Sequence, residues 1–156
     1  GRRGERRMYT VKVRLARDIE GLYERMNRMM DEVLNLNRPV LSQSGVGWIP
    51  EADVIETEDY LDVRLNLAGV PKEDIEVAFD ETYLRVEGRR TPDAPAGSCT
   101  RYHRLEMGSG RFERIFRVPV RIDPDHIEAT LVDGILTVRM SKPGRPSKSR
   151  IVTVTD

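Results

Sequence analysis

The dipeptide Asp133–Gly134 separates two runs with strand-like alternation, Ala129-Thr130-Leu131-Val132 and Ile135-Leu136-Thr137-Val138. Glycine accepts a positive φ without steric cost, and Asp-Gly is a strong signal for a two-residue hairpin turn. The same period of two recurs upstream. Leu61, Val63, Leu65 and Leu67 alternate with Asp62, Arg64 and Asn66, and Ile75, Val77 and Phe79 with Glu76, Ala78 and Asp80. Leu84 and Val86 follow a turn at Asp80-Glu81-Thr82. Phe112, Phe116, Val118 and Val120 share one phase, as do Ile127, Ala129 and Leu131, then Leu136, Val138 and Met140. Short alternating strands at intervals of roughly 8–12 residues, with turn residues between them, predict an all-β, antiparallel, immunoglobulin-like sandwich. Each strand buries one face and solvates the other.

The 156 residues suffice for one domain with extensions. Three parts are expected: an N-terminal arm over 1–47, a β domain over 48–140 and a flexible C-terminal tail over 141–156. The tail opens with Ser-Lys-Pro-Gly-Arg-Pro-Ser, a composition that resists helix and strand alike. Net charge is zero, so no whole-protein field favours nucleic acid or anionic membrane. The single cysteine, Cys99, excludes an internal disulfide framework and suits a reducing cytoplasm. No apolar run approaches the ~18 residues of a membrane span, and no signal peptide is visible.

The arm opens with Arg2, Arg3, Arg6, Arg7, Lys12, Arg14 and Arg17 against one acid, Glu5. It reads as a solvated basic end. Leu15, Ile19, Leu22, Tyr23, Met26, Met29, Met30 and Val33 then recur at spacings of three and four, which predicts one face of an amphipathic helix. Such a stripe either docks permanently or serves as an adaptable binding face, since unbranched methionines repack cheaply against irregular partners.

Residues 88–110 break the strand rhythm with a long polar loop containing Pro92 and Pro95. Tyr102-His103-Arg104-Leu105-Glu106-Met107 alternates weakly and is a candidate short strand. Arg114 shares the phase of Phe112 and Phe116, which puts a guanidinium on an apolar face. Unpaired burial would be costly, so it must meet a carboxylate, reach a sheet edge or lie at a subunit interface.

No catalytic constellation is legible. Cys99 and His103 lack a third orienting residue. His126, near Asp123, Asp125 and Glu128, is expected to cap a turn rather than bind metal. Gly108-Ser109-Gly110 lacks the Lys-Ser/Thr of a phosphate loop. No enzyme, cofactor, metal or dedicated small molecule is expected.

Several spaced motifs resemble the small heat-shock protein (α-crystallin domain) family in its bacterial, archaeal and plant type. They are Trp48-Ile49-Pro50 with Asp53-Val54 and Glu56, Leu67-Ala68-Gly69-Val70 through Asp74-Ile75, Gly110-Arg111-Phe112-Glu113-Arg114-Ile115-Phe116-Arg117-Val118-Pro119, and the 129–136 hairpin. The tail residues Val152-Thr153-Val154 resemble the family's [IV]-x-[IV] plug, with Ile151 beside them in the opposite phase. The docking register is therefore either Ile151 or Val152 with Val154.

The resemblance implies an ATP-independent holdase that binds unfolding clients through exposed apolar surface, with the helical stripe as client-binding arm. It implies homodimers that assemble further. Tyr102, His103, Arg104, Leu105, Glu106 and Arg114 would form the dimer interface. The tail plug would enter a groove made by Ile75, Val77, Phe79, Ile127, Ala129 and Leu131. Two other readings remain: a co-chaperone or scaffold module of the same fold, and nucleic-acid association through the basic arm. The co-chaperone type usually lacks both the hairpin motif and the tail plug. Salt-sensitive binding would mark the nucleic-acid reading.

Overall fold

A computed structural model describes residues 6–17, 19–35, 47–92 and 101–144, with residues 29–35 described by their backbone alone. Nine strands, one α-helix and a short 3-10 turn at Lys72–Asp74 are described: β1 (Met8–Val11), β2 (Val13–Leu15), α1 (Ile19–Asn35), β3 (Ala52–Glu56), β4 (Tyr60–Asn66), β5 (Ile75–Asp80), β6 (Tyr83–Arg90), β7 (Gly110–Arg117), β8 (Ile127–Val132) and β9 (Ile135–Ser141). They form two sheets, β1-β8-β9-β4-β3 and β2-β5-β6-β7.

The expected hairpin closes β8 onto β9, with Val132 opposite Ile135. Asp133 and Gly134 both have positive φ, +51° and +79°, the signature of a type I′ turn. A side chain at Gly134 would meet the Ala68 backbone at 2.8 Å. The glycine therefore lets the hairpin tip abut the loop after β4, where the Leu67 N–H donates to the Gly134 carbonyl at 2.7 Å.

The alternating residues point inward as their period requires. Leu65, Leu67, Leu84, Val86, Phe112, Leu136, Val138 and Met140 are wholly enclosed between the sheets. Each such side chain contributes about 1.5–3 kcal/mol by leaving water. The sandwich is mainly antiparallel, as expected, but β2 pairs with β5 in parallel.

Four expectations need correction. Residues 8–15 are not a solvated basic end: β1 pairs antiparallel with β8, and β2 pairs in parallel with β5. Leu15 accordingly lies on β2 and not on the helical face, because the chain from Met8 to Leu15 runs in extended period-two pairing with two strand edges. Residues 102–107 form no regular strand within this single chain. The strand over 112–120 stops at Arg117, since Pro119 lacks the N–H a ladder needs. The sequence reading also passed over β3, whose acids Asp53 and Glu56 masked its alternation.

The helix is present where the stripe predicts it, and it is not free. Ile19 is buried. Its backbone N–H donates to the Asp80 carboxylate at 3.0 Å. The Tyr23 ring meets Tyr83 at 5.1 Å. The end of β5 and the start of β6 thus hold the first turns of α1.

Candidate functional site

Among the described residues the chain offers surfaces rather than a cleft with convergent polar groups. On one flank of the sandwich, β5 and β8 lie beside each other in opposite sheets. All the groove residues singled out in the sequence are on these strands. Ile75, Val77, Phe79, Ala129 and Leu131 are buried, and Ile127 is half-buried. The free backbone edges of both strands are taken by β1 and β2. Val11, 5% exposed, and the half-buried Val13 join the core between the sheets. The plug residues Ile151, Val152 and Val154 lie outside the described residues, as does Cys99.

The opposite flank exposes β3 and β7 as sheet edges. Val54 and Ile55 on β3, with Ile49 just before it, are exposed apolar side chains. So are Tyr102, Leu105 and Met107, the last two at 75% and 80% exposure. His103, Arg104 and Glu106 are exposed as well, with Arg104 and Glu106 paired at 3.1 Å.

Arg114 sits on the edge strand β7. Its Nη1 donates to the Pro50 carbonyl at 2.6 Å, and its guanidinium lies 4.9 Å from the centre of the Phe116 ring. Burial pushes its pKa down. Of the three environments open to it from sequence, it takes the sheet edge within this chain. Among the described residues no ion pair to a carboxylate is recorded for it.

On the arm, Leu22, Tyr23 and Met26 are half-buried, while Leu15 is 62% exposed. The side chains of Met29, Met30 and Val33 lie outside the description. Leu15 lines an open groove of about 900 Å3, with Phe79, Val118, Val120 and Ile122 along it.

Two polar arrangements were not singled out in the sequence. Trp48 donates through Nε1 to the Gly110 carbonyl at 3.1 Å, and Arg90 stacks 3.7 Å over its ring. Arg90 also donates to the Gly108 and Ala68 carbonyls at 2.8 and 2.9 Å. This locks the start of the β domain against the end of the long loop. Asp62 and Arg139, directly opposite across β4 and β9, form a two-pronged pair at 2.9 and 2.8 Å over the Tyr60 ring. Hydrogen bonding to Asp62 raises the Arg139 pKa. Only cross-strand register reveals this pair, and register is not visible until β4 and β9 are known to be neighbours.

The turn before β8 is capped by Asp123 rather than by His126: Asp123 Oδ1 accepts from the Asp125 N–H at 3.0 Å, and the His126 Nδ1 lies 2.7 Å from Asp123 Oδ2. Among the described residues no cluster of His, Cys, Asp and Glu could hold a metal ion. No helix among them is long and apolar enough to cross a membrane.

With this geometry in view, residues 53–155 match the family model described as Hsp20/alpha crystallin family. The chain belongs to the Hsp20/alpha crystallin family. Heat shock protein 16 of Schizosaccharomyces pombe is 32% identical over 106 residues, 67% of this chain and 74% of that protein. Among solved structures, heat shock protein 16.0 from Schizosaccharomyces pombe superposes with a TM-score of 0.58 at 28% identity, covering 69% of this chain and 99% of that one. The hspA structure from Xanthomonas axonopodis gives 0.56 at 30% identity, covering 63% and 97%. The Hsp20 match spans β3 to β9 and runs into the tail, whereas β1, β2 and α1 lie before it. Family and fold together support a chaperone-type role.

Proposed function

We propose that this Hsp20 protein is an ATP-independent holdase of the cytoplasm, which captures unfolding clients on exposed apolar surface. The observation that carries this reading is apolar surface left open on the arm of a domain of this family: Leu15, 62% exposed, lies along an open groove with Val118, Val120 and Ile122. The helix adds Leu22, Tyr23 and Met26, each with part of its surface open. Clients present irregular apolar patches, and adaptable side chains on such a surface can meet many of them.

Self-assembly follows the same logic. Leu105 and Met107 are two residues apart and project to one side when extended. A partner's β3 presents a free strand edge with Val54 and Ile55 exposed. Pairing the 102–107 segment with that edge completes a dimer by strand addition, with Arg114 on the same flank. Larger assembly uses the tail, with Val152 and Val154, or Ile151 in the other register, seated between β5 and β8 of another copy.

The test is aggregation of a heat-stressed client followed by light scattering. Near-equimolar protein should suppress the signal equally with and without ATP. Dependence on ATP, or no suppression at equimolar ratio, would sink the holdase reading.

A further inference from the structure

The flank between β5 and β8 is already occupied by the chain's own N-terminal segment. Residues 8–15 cross from one sheet to the other within eight residues. Val11 stands opposite Ala129 in the five-stranded sheet, and Val13 opposite Val77 in the four-stranded sheet. Lys12 between them is exposed, so both valines enter the gap between the sheets. The tail carries the same chemistry at the same spacing: Thr10-Val11-Lys12-Val13-Arg14 beside Ile151-Val152-Thr153-Val154-Thr155.

We infer that Met8–Leu15 is an internal strap that competes with the tail of a second copy for the same pair of strand edges. This rests on the reading that the tail seats between β5 and β8. Two valines in the strap and two in the tail bury comparable apolar surface, and both would add backbone pairing to the same edges. The strap has the advantage of being tethered, and the tail gains when many copies are present.

The strap is built to leave. It holds β8 through four register pairs and β5 through three. Beyond those pairs and the two valines packed in the core, its attachments are light: an exposed contact of Arg6 with Asp133 at 3.6 Å, Lys72 over the Tyr9 ring at 5.4 Å, and Ala16 N–H to the Phe79 carbonyl at 2.8 Å. Tyr9 and Leu15 remain 38% and 62% exposed. The helix is anchored separately, through buried Ile19 and its bond to Asp80, so the strap can peel away while α1 stays docked. With the strap off, a tail from another copy can enter and Leu15 is freed from the flank.

The experiment measures binding of a fluorescent peptide of residues 145–156 by anisotropy. The full chain carries Val152→Ala and Val154→Ala so that its own tail does not compete. Adding Val11→Ser and Val13→Ser should tighten the peptide's apparent affinity by about tenfold or more, since the competent fraction rises when the strap opens. A second arm closes the strap with Thr10→Cys and Thr130→Cys, which face each other across β1 and β8, in a Cys99→Ser background. Directly opposed antiparallel residues lie within disulfide reach. Oxidation should abolish peptide binding and reduction should restore it. This arm decides the matter if the serine variant fails to fold. Equal affinity in the open, native and locked proteins overturns the strap proposal while leaving tail docking intact. A peptide that binds none of them, the opened one included, overturns tail docking and the strap proposal with it.

Discussion

The Asp80 carboxylate, at the end of β5, accepts the backbone N–H of Ile19, at the start of α1, across 61 residues of sequence. A strand end thereby caps a helix from outside it, satisfying one of the orphan donors of the first turn and placing negative charge at the positive end of the helix dipole. Asp80→Ala should cost about 1 kcal/mol of stability. Hydrogen exchange should show the first turn of α1 losing protection while β8 and β9 keep theirs. Uniform loss across the domain would mean that the helix and the sandwich unfold as one unit.

The Asp62–Arg139 pair is nearly enclosed, with side-chain exposures of 9% and 24%. Removing either partner strands the other. Asp62→Ala or Arg139→Ala should each lower unfolding free energy by about 2–3 kcal/mol, as expected for a charged hydrogen bond broken in a shielded site. Urea denaturation of the two single variants and the double variant checks this. The double variant should cost clearly less than the sum of the singles.

Acid stability has a local signature at the turn before β8. The Asp125 N–H, and after it the His126 ring, hold the Asp123 carboxyl below its ordinary range. A depressed carboxylate stabilises the fold above the unfolded aspartate pKa of about 3.9, and that contribution disappears as pH falls through the lowered folded value. The melting-temperature gap between the native protein and Asp123→Asn should therefore be present at neutral pH and close below about pH 4. A gap that persists into strong acid would show that the carboxylate charge contributes nothing.

Dimer formation should be sensitive to charge on either side of the proposed strand addition. Leu105→Glu with Met107→Glu, or Val54→Glu alone, should shift the species seen by light scattering toward monomer. The melting transition of the domain should stay nearly unchanged, because all three side chains are exposed. Dimers that survive both changes would point to an interface built on β7 instead.

Tail-dependent assembly separates from dimer formation by its register. Val152→Ala with Val154→Ala should reduce large oligomers to dimers, as measured by native mass spectrometry. Ile151→Ala should leave them intact. The reverse outcome would place the plug one residue earlier.

The hairpin at Asp133–Gly134 and strands β4, β5, β8 and β9 were legible because alternation and turn chemistry agree there. Strands β1 and β2 were not, although Tyr9, Val11, Val13 and Leu15 alternate with Thr10, Lys12 and Arg14. Arg6, Arg7, Lys12 and Arg14 made the stretch read as a charged end, and the spacing of Leu15 to Ile19 fitted a helical face equally well. That this segment would divide its pairing between two sheets depends on β5 and β8 coming side by side, a property of the folded sandwich. Tyr102–Met107 alternates weakly in sequence but forms no ladder within one chain; on the proposed strand addition its edge partner belongs to a second copy. The phase of Arg114 with Phe112 and Phe116 marks it as a cation in need of a partner. That the partner is the Pro50 carbonyl, 64 residues away, follows only from the packing of the domain start against β7.

The strap gives the sandwich a polarity. With β1 and β2 in place, β8 and β5 become interior strands, and the outermost strands on that flank are only four and three residues long, against five and eight for β3 and β7 on the other. A very short edge that switches sheets midway is a poor template for further strands, whereas a longer edge invites them. Covering β5 and β8 thus biases strand addition toward the β3 and β7 side, without any change in the core.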